Sequence, residues 1–440
     1  MASPTHKANN RRRTGALTRF GSPRRWLLRV LFWGGAVAVG AAAVLFALAS
    51  EAAHAQFRAA RALAPWLPLV GMPLGLASVV FLSRRFFPGA QGSGIPQTVA
   101  ALEQQDRADR EHLLSLRIAA GKVCLTVGAI LSGASVGREG PTVQVGAAIM
   151  HTLGGISRFP QLAMDRALIL AGGAAGVAAA FNTPLAGIVF AIEELSRSYE
   201  QRTNGTILTA VILAGVTSLA MLGNYVYFGT TTATVGSDPQ NWLAVAVIGV
   251  TGGLAGGLFS RLLIATSRGL PGGLGRFARA RPVRFAAACG LLLAALGMVS
   301  GDTTYGTGYE ETRRILVSGG DIPASFGLCK FLATLVSYLS GVPGGIFAPS
   351  LAVGAGIGVN LSALLPHVPL TAVVVLSMAA YFAGVVQAPL TAFVIVSEMT
   401  DNHDIVLLLM GVSLIANGAS RLICPQPLYK ALAEGFMRAR

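Results

Sequence analysis

Acidic residues are scarce in this chain: Asp and Glu number 19 in 440 residues, against 34 Lys and Arg, and charged residues make up only 12%. That is far from the mix of a soluble domain. Cysteine is scarcer still. Cys124, Cys289, Cys329 and Cys424 lie scattered without a CxxC pair, so neither a disulfide framework nor a zinc site is implied. Six histidines (His6, His54, His112, His151, His367 and His403) form no HExxH pair, and no phosphate-binding loop occurs. Gly133-Ala134-Ser135-Val136-Gly137 matches a GxSxG nucleophile pattern, but it lies in apolar sequence without a His partner.

What the chain has in quantity is apolar sequence, 53% by composition, with a mean hydropathy of +0.61. Apolar runs recur at Val30–Ala49, Leu67–Leu82, Ala167–Ala180, Ile207–Leu222, Trp242–Phe259, Phe285–Val299, Thr371–Val386 and Ile405–Ile415. Several fall short of the roughly 20 residues of a full span, as tilted or broken helices do. Glycine is frequent, at 54 residues, as expected where membrane helices pack closely or break. The pattern predicts an all-α polytopic membrane protein.

The net charge of +15 invites a nucleic-acid reading, which position argues against. Lys7, Arg11, Arg12, Arg13, Arg19, Arg24, Arg25 and Arg29 precede the first apolar run with no acidic residue among them. That is the positive-inside signature of a cytoplasmic N-terminus facing anionic lipid. Arg421, Lys430, Arg438 and Arg440 against Glu434 place the C-terminus on the same side. Ala53-His54-Ala55 resembles a signal-peptide cleavage site, but the basic region is too long and too many spans follow.

Within the apolar stretch from Val123 to Leu153 stands Gly137-Arg138-Glu139-Gly140-Pro141. A Glu and an Arg at membrane depth each cost about 2.5–3.5 kcal/mol on insertion scales. The Gly and Pro residues mark a broken helix, tolerated there only when buried in protein or lining a polar cavity. A carboxylate beside free backbone N–H groups makes a place where an anion and a proton-carrying side chain compete. The alternative is an Arg138–Glu139 pair satisfying itself near the headgroups.

The chain also repeats itself. At a shift of 208 positions, eleven identities fall between Lys122 and Ile149 without a gap. They include Lys122 on Lys330, Gly133 on Gly341, Gly137 on Gly345, Pro141 on Pro349 and Gly146 on Gly354. At a shift of 205, Pro184-Leu185 matches Pro389-Leu390 and Glu193 matches Glu398. Paired broken segments in two halves point to a binding site at the midplane between repeats. The organisation expected is a basic cytoplasmic segment at residues 1–29, membrane repeats at 30–235 and 236–435, and a tail at 436–440.

Gly92-Ser93-Gly94-Ile95-Pro96, Gly137-Arg138-Glu139-Gly140-Pro141 and Gly345-Ile346-Phe347-Ala348-Pro349 resemble the three anion-site motifs of the CLC chloride channel and transporter family, in the family's order. Tyr429, in Pro427-Leu428-Tyr429, resembles the family's fourth element. The resemblance covers roughly residues 30 to 435. It implies two inverted-topology repeats with broken helices meeting at a midplane anion site. It also implies a homodimer with one pathway per subunit, no cofactor and no nucleic-acid partner. Chloride and protons are the implied ligands. By this resemblance Ser93, Ile346, Phe347 and Tyr429 bind the anion, Glu139 is the gate and Glu194 the inner proton-transfer residue. The supporting residues are Gly92, Gly94, Pro96, Gly137, Arg138, Gly140, Pro141, Gly345 and Pro349.

The activity implied is chloride/proton antiport. A passive voltage- or pH-gated chloride channel is the alternative, and a membrane-embedded enzyme built on Glu139 and the Glu193-Glu194 carboxylates is a remote one. Glu193, which has its echo in Glu398, reads as structural. Lys122 and Lys330 read either as a positive field near the pore or as partners of buried carboxylates. Gln97 departs from the family, many of whose members carry Glu there. The sequence ends eleven residues after Tyr429, so the expectation is a prokaryotic-type member without C-terminal cystathionine-synthase-like regulatory domains, seated in the cell's inner or plasma membrane.

Overall fold

The computed structural model describes residues 23–156, 162–196, 201–223, 225–233, 235, 239–320 and 322–438. Lys7, Arg11, Arg12, Arg13, Arg19 and Arg440 lie outside them. The helices of the first half are α1 (Pro23–Leu63), α2 (Leu67–Phe86), α3 (Ile95–Glu103), α4 (Arg107–Leu114), α5 (Leu116–Leu131), α6 (Glu139–Ile156), α7 (Leu162–Phe181), α8 (Pro184–Phe190) and α9 (Gln201–Leu222). Those of the second half are α10 (Pro239–Ser267), α11 (Gly272–Ala280), α12 (Pro282–Val299), α13 (Tyr309–Ser318), α14 (Phe326–Leu339), α15 (Phe347–Ser362), α16 (Leu370–Val386), α17 (Pro389–Thr400), α18 (Val406–Ile423) and α19 (Leu428–Arg438).

Each of the eight apolar runs falls in a helix, the last one starting at its N-cap, Ile405. Among the described residues, eight helices are long and apolar enough to cross a bilayer, and four shorter apolar helices accompany them. The chain is an integral membrane protein. With 41 residues, α1 is about 60 Å long, twice the hydrocarbon thickness. Beyond Arg24, Arg25 and Arg29 near its start, its charges Glu51, Arg58 and Arg61 fall in the last third, where Arg58 pairs with Glu310 and Arg61 with Asp302.

The segment from Gln97 to Leu114 forms two helices, broken at residues 104–106. The break is held by Arg110, whose Nε and Nη2 donate to the carbonyl of Gln104 at 3.2 and 2.7 Å. The segment from Phe181 to Leu195 is likewise interrupted. It starts anew at Pro184 and ends in a π-helical turn, Ala191–Ser196, carrying Glu193 and Glu194.

The repeat is visible in the backbone. Gly137 and Gly345 form an antiparallel bridge, each N–H donating to the other's carbonyl at 2.7 Å. Reciprocal bonding between equivalent residues is what a local two-fold produces. The helices that follow, α6 and α15, start from this bridge head to head. Asn182 and Gln387 both adopt left-handed φ values of 57° and 56°, each ending a buried helix before a Pro-initiated one.

The same reciprocity relates Glu193 and Glu398. Glu398 accepts from the N–H groups of Leu185 and Ala186 at 3.1 and 2.7 Å, at the start of α8. Glu193 accepts from Leu390 and Thr391 at 3.1 and 2.6 Å, at the start of α17. Each carboxylate answers two of the unpaired N–H groups of a helix N-terminus and opposes its dipole. This bears out the structural reading of Glu193. Glu398→Ala should therefore lower stability by about 1–3 kcal/mol, since charge-assisted bonds to two N–H groups are lost. The check is the unfolding midpoint in detergent, and an unchanged midpoint would remove the capping role.

Candidate anion site

Four helix N-termini converge in the interior: those of α3, α6, α15 and α19. The loop before α3 and the loop before α15 are joined where Gly344 N–H donates to the carbonyl of Gly92 at 3.1 Å. The loops before α6 and α15 are joined by the Gly137–Gly345 bridge. Pro96 is the second residue of its helix, and Pro141 and Pro349 the third of theirs. In the first turn an N–H has no intrahelical acceptor, so proline sacrifices nothing there.

Close approach dictates two of the glycines. A Cβ at Gly140 would stand 2.6 Å from the Ser93 hydroxyl and 2.8 Å from the Ser93 carbonyl oxygen. Gly94, at φ 101°, would set a Cβ 2.7 Å from the carbonyl oxygen of Gly140. The first and second motifs are thus in van der Waals contact through backbone.

Ser93 and Tyr429 are buried, and their hydroxyls approach each other without a hydrogen bond of good geometry. Two buried hydroxyls lacking partners are costly in an apolar interior and suit a ligand that accepts hydrogen bonds. Ile346 is the N-cap of α15 and Phe347 its first residue, so their N–H groups belong to the free set at that terminus. The Phe347 ring is held by Phe382, Phe190, Tyr429 and Phe181, with centroids at 4.8, 5.9, 6.0 and 6.1 Å.

Glu139 opens α6 and is 0% exposed. Its Oε1 accepts from the hydroxyl of Tyr227 at 3.4 Å, and the carboxylate faces the N–H groups of Glu139 itself and of Ala348. It therefore lies against the free N–H groups at the head of α15. Glu194, 2% exposed, sits in the π-helical turn within electrostatic reach of Tyr429, as Glu139 also is. The structure brings Ser93, Glu139, Ile346, Phe347 and Tyr429 into one neighbourhood, with Glu194 adjoining through Tyr429.

The surrounding cations are turned to backbone. Lys122 Nζ donates to the carbonyls of Ala90 and Gly92 at 2.6 and 2.7 Å, and Lys330 Nζ to those of Thr304 and Gly306 at 2.9 and 2.7 Å. Both lysines brace loops by gripping carbonyls two residues apart, rather than pairing with carboxylates as one reading held. Arg138 lies 3.3 Å from Glu51 on α1. Glu139 meanwhile bonds Tyr227, so the headgroup-level pair is not what forms. Gln97 accepts from Gly94 N–H at 3.0 Å and donates to the carbonyls of Gly89 and Gln91. An amide fits these three partners, whereas a carboxylate would face two carbonyl oxygens.

The family model described as voltage gated chloride channel matches residues 74–421. The chain belongs to the CLC family. It is 31% identical over 370 residues to the H(+)/Cl(-) exchange transporter ClcA of Citrobacter koseri, covering 80% of this chain and 75% of that one. With the ClcA exchange transporter of Cronobacter sakazakii it shares 30% identity over 450 residues, covering 98% and 94%. Among solved structures it is similar to a slow cyanobacterial Cl−/H+ antiporter, at a TM-score of 0.80 and 27% identity over 95% of this chain and 99% of that one. A CLC-type fluoride/proton antiporter matches at a TM-score of 0.77 and 25% identity over 92% and 98%.

Sequence reasoning missed one member of this CLC site. Tyr227 lies in the connection between α9 and α10, outside every family motif and outside the positions matched between the two halves. Its only signal is the cluster Tyr225-Val226-Tyr227-Phe228 in a polar stretch between two apolar runs.

The Gly140–Ser93 contact generates a prediction. Gly140→Ala favours the helix by propensity but drives a methyl into the Ser93 backbone, and overpacking of this kind costs about 1–3 kcal/mol. Chloride binding measured by calorimetry should weaken by roughly tenfold or more. Wild-type affinity in a folded variant would mean that the motifs need not touch.

Proposed function

We propose that this protein exchanges chloride for protons across the membrane, with Glu139 as the gate and Glu194 as the inner proton-transfer residue. The observation that carries the reading is that the Glu139 carboxylate lies against the α15 N-terminal N–H groups that an anion would use. A chloride in low dielectric needs partial positive charge without a full cation that would trap it, and helix N-termini supply that. Ionised, Glu139 takes the anion's place. Protonated, it loses its attraction for those N–H groups, swings away and admits the ion. Ser93 and Tyr429 donate from the other side, and Ile346 and Phe347 from the backbone. Proton occupancy and anion occupancy are then alternatives at one site, which is what couples opposite movements.

Glu194, like Glu139 within electrostatic reach of Tyr429, is the second titratable group that would relay the proton to the inner solution. The likeness to the ClcA exchange transporters and to the cyanobacterial antiporter supports exchange. It points to transport rather than catalysis. A passive channel differs in having no use for Glu194.

The pathway residues come from one chain, consistent with a homodimer carrying one pathway per subunit. Two inverted repeats, bounded near residue 235, agree with the head-to-head α6–α15 bridge. Arg268 donates to Gln426 at 2.6 Å, so the arginine-bearing connection from α10 through α11 shares a side with the C-terminal segment. By the positive-inside rule that side is cytoplasmic, in a cell inner or plasma membrane.

Paired flux measurements on reconstituted vesicles test these roles. Glu139→Ala should keep chloride movement, make it insensitive to external pH and reduce proton coupling to zero. Glu194→Gln keeps the shape and loses the titratable proton, so chloride flux should persist while proton movement ceases. Proton pumping at the wild-type ratio in Glu194→Gln would remove the inner assignment. Retained pH-dependent exchange in Glu139→Ala would remove the gate.

A further inference from the structure

Tyr227 does not belong to any of the motifs that build the site, yet it touches the group at its centre. The short connection that carries it is a strap sewn to the ends of two buried helices. Phe228 N–H donates to Met399 O at 2.9 Å and Thr231 N–H to Thr400 O at 3.0 Å, both at the end of α17. Asn402 Nδ2 donates to Thr231 Oγ1 at 3.2 Å and to the carbonyl of Ala233 at 3.0 Å. Asn182, at the end of α7, donates to the carbonyl of Tyr225 at 2.8 Å.

The ring is fixed as firmly as the backbone. Tyr227 meets Phe228, Tyr309 and Phe181 edge to face, with centroids at 4.9, 5.1 and 5.6 Å. Three rings on three sides leave its hydroxyl a donor of set direction, aimed at Glu139 Oε1. The other titratable and charged groups around Glu139 and Tyr227 are Arg138 immediately before α6, Tyr225 on the strap, Tyr309 on α13 and Tyr429 on α19, with Glu51 of α1 behind Arg138.

We propose that Tyr227 is a positioning residue for the gate: its hydroxyl holds the Glu139 carboxylate in the anion's place and so sets the external pH at which exchange turns on. The inference rests on the gate reading of Glu139. A hydrogen bond donated to a carboxylate favours its ionised form over the protonated one. Tyr227 therefore biases the gate toward closure and makes both a proton and a chloride work harder to displace it. At 3.4 Å the bond is long, and its effect falls at the lower end of the range for bonds to charged groups.

Tyr227→Phe deletes the donor and keeps the ring contacts. The ionised gate loses its partner, so protonation succeeds at lower proton concentration. The midpoint of the pH dependence of chloride exchange should move upward by about half to one pH unit, three- to tenfold in proton concentration. Flux well below the midpoint, where every gate is already protonated, should be unchanged. Chloride binding at neutral pH should tighten by a similar factor, because its competitor is weakened. In Glu139→Ala vesicles the same substitution should change nothing. An unmoved or downward-moved midpoint in Tyr227→Phe overturns the latch while leaving the gate standing, and so does an effect that persists in the Glu139→Ala background. If Glu139→Ala alone retains pH-dependent exchange, the gate reading falls and takes the latch with it.

Discussion

Helix N-termini that meet head to head repel one another. Each carries the equivalent of about half a positive charge, and in a low-dielectric interior little screens it. The ends of α3, α6 and α15 are drawn together by backbone bonds between Gly92 and Gly344 and between Gly137 and Gly345, and α19 joins them through Tyr429. Such an assembly needs a negative charge among its termini. Glu139 supplies one from within, and an anion supplies one from outside. On the proposed reading of Glu139 as the gate, one or the other is favoured and a proton decides which, so that gating and coupling follow from one electrostatic requirement of the fold.

The remainder of the interior is arranged around that requirement. The buried lysines, which would capture an anion if they faced it, are occupied by loop carbonyls. Gln97 spends its amide on the turn that presents Ser93. Glu193 and Glu398, the two carboxylates related by the repeat, cap α17 and α8 across the local two-fold. Glu194, next to one of them, has no counterpart and adjoins Tyr429 instead. The asymmetry between adjacent glutamates separates a structural pair from the group proposed to carry the proton.

Much of this was legible before any coordinates. Motif glycines and prolines marked broken helices because those residue types are nearly the only ones that serve there, and the 208-position echo made Gly137 and Gly345 equivalent, without foretelling that they would bond each other. The Glu193–Glu398 echo pointed to a structural pair. Three things were not legible. The break between α3 and α4 depends on Arg110 reaching back to Gln104, a tertiary contact that no periodicity reports. The lysines' partners are carbonyls, which leave no trace in side-chain identity. Tyr227 sits on a connection with no repeat partner, and only the folded strap brings its hydroxyl to Glu139.

The most direct measurement is made on the purified protein in liposomes under a chloride gradient, with proton and chloride movements recorded together. Chloride running down its gradient should drive protons uphill in the opposite direction, at a fixed ratio. If the chloride gradient collapses while protons stay at equilibrium, the site is a passive pathway and the competition between carboxylate and anion does not couple their fluxes.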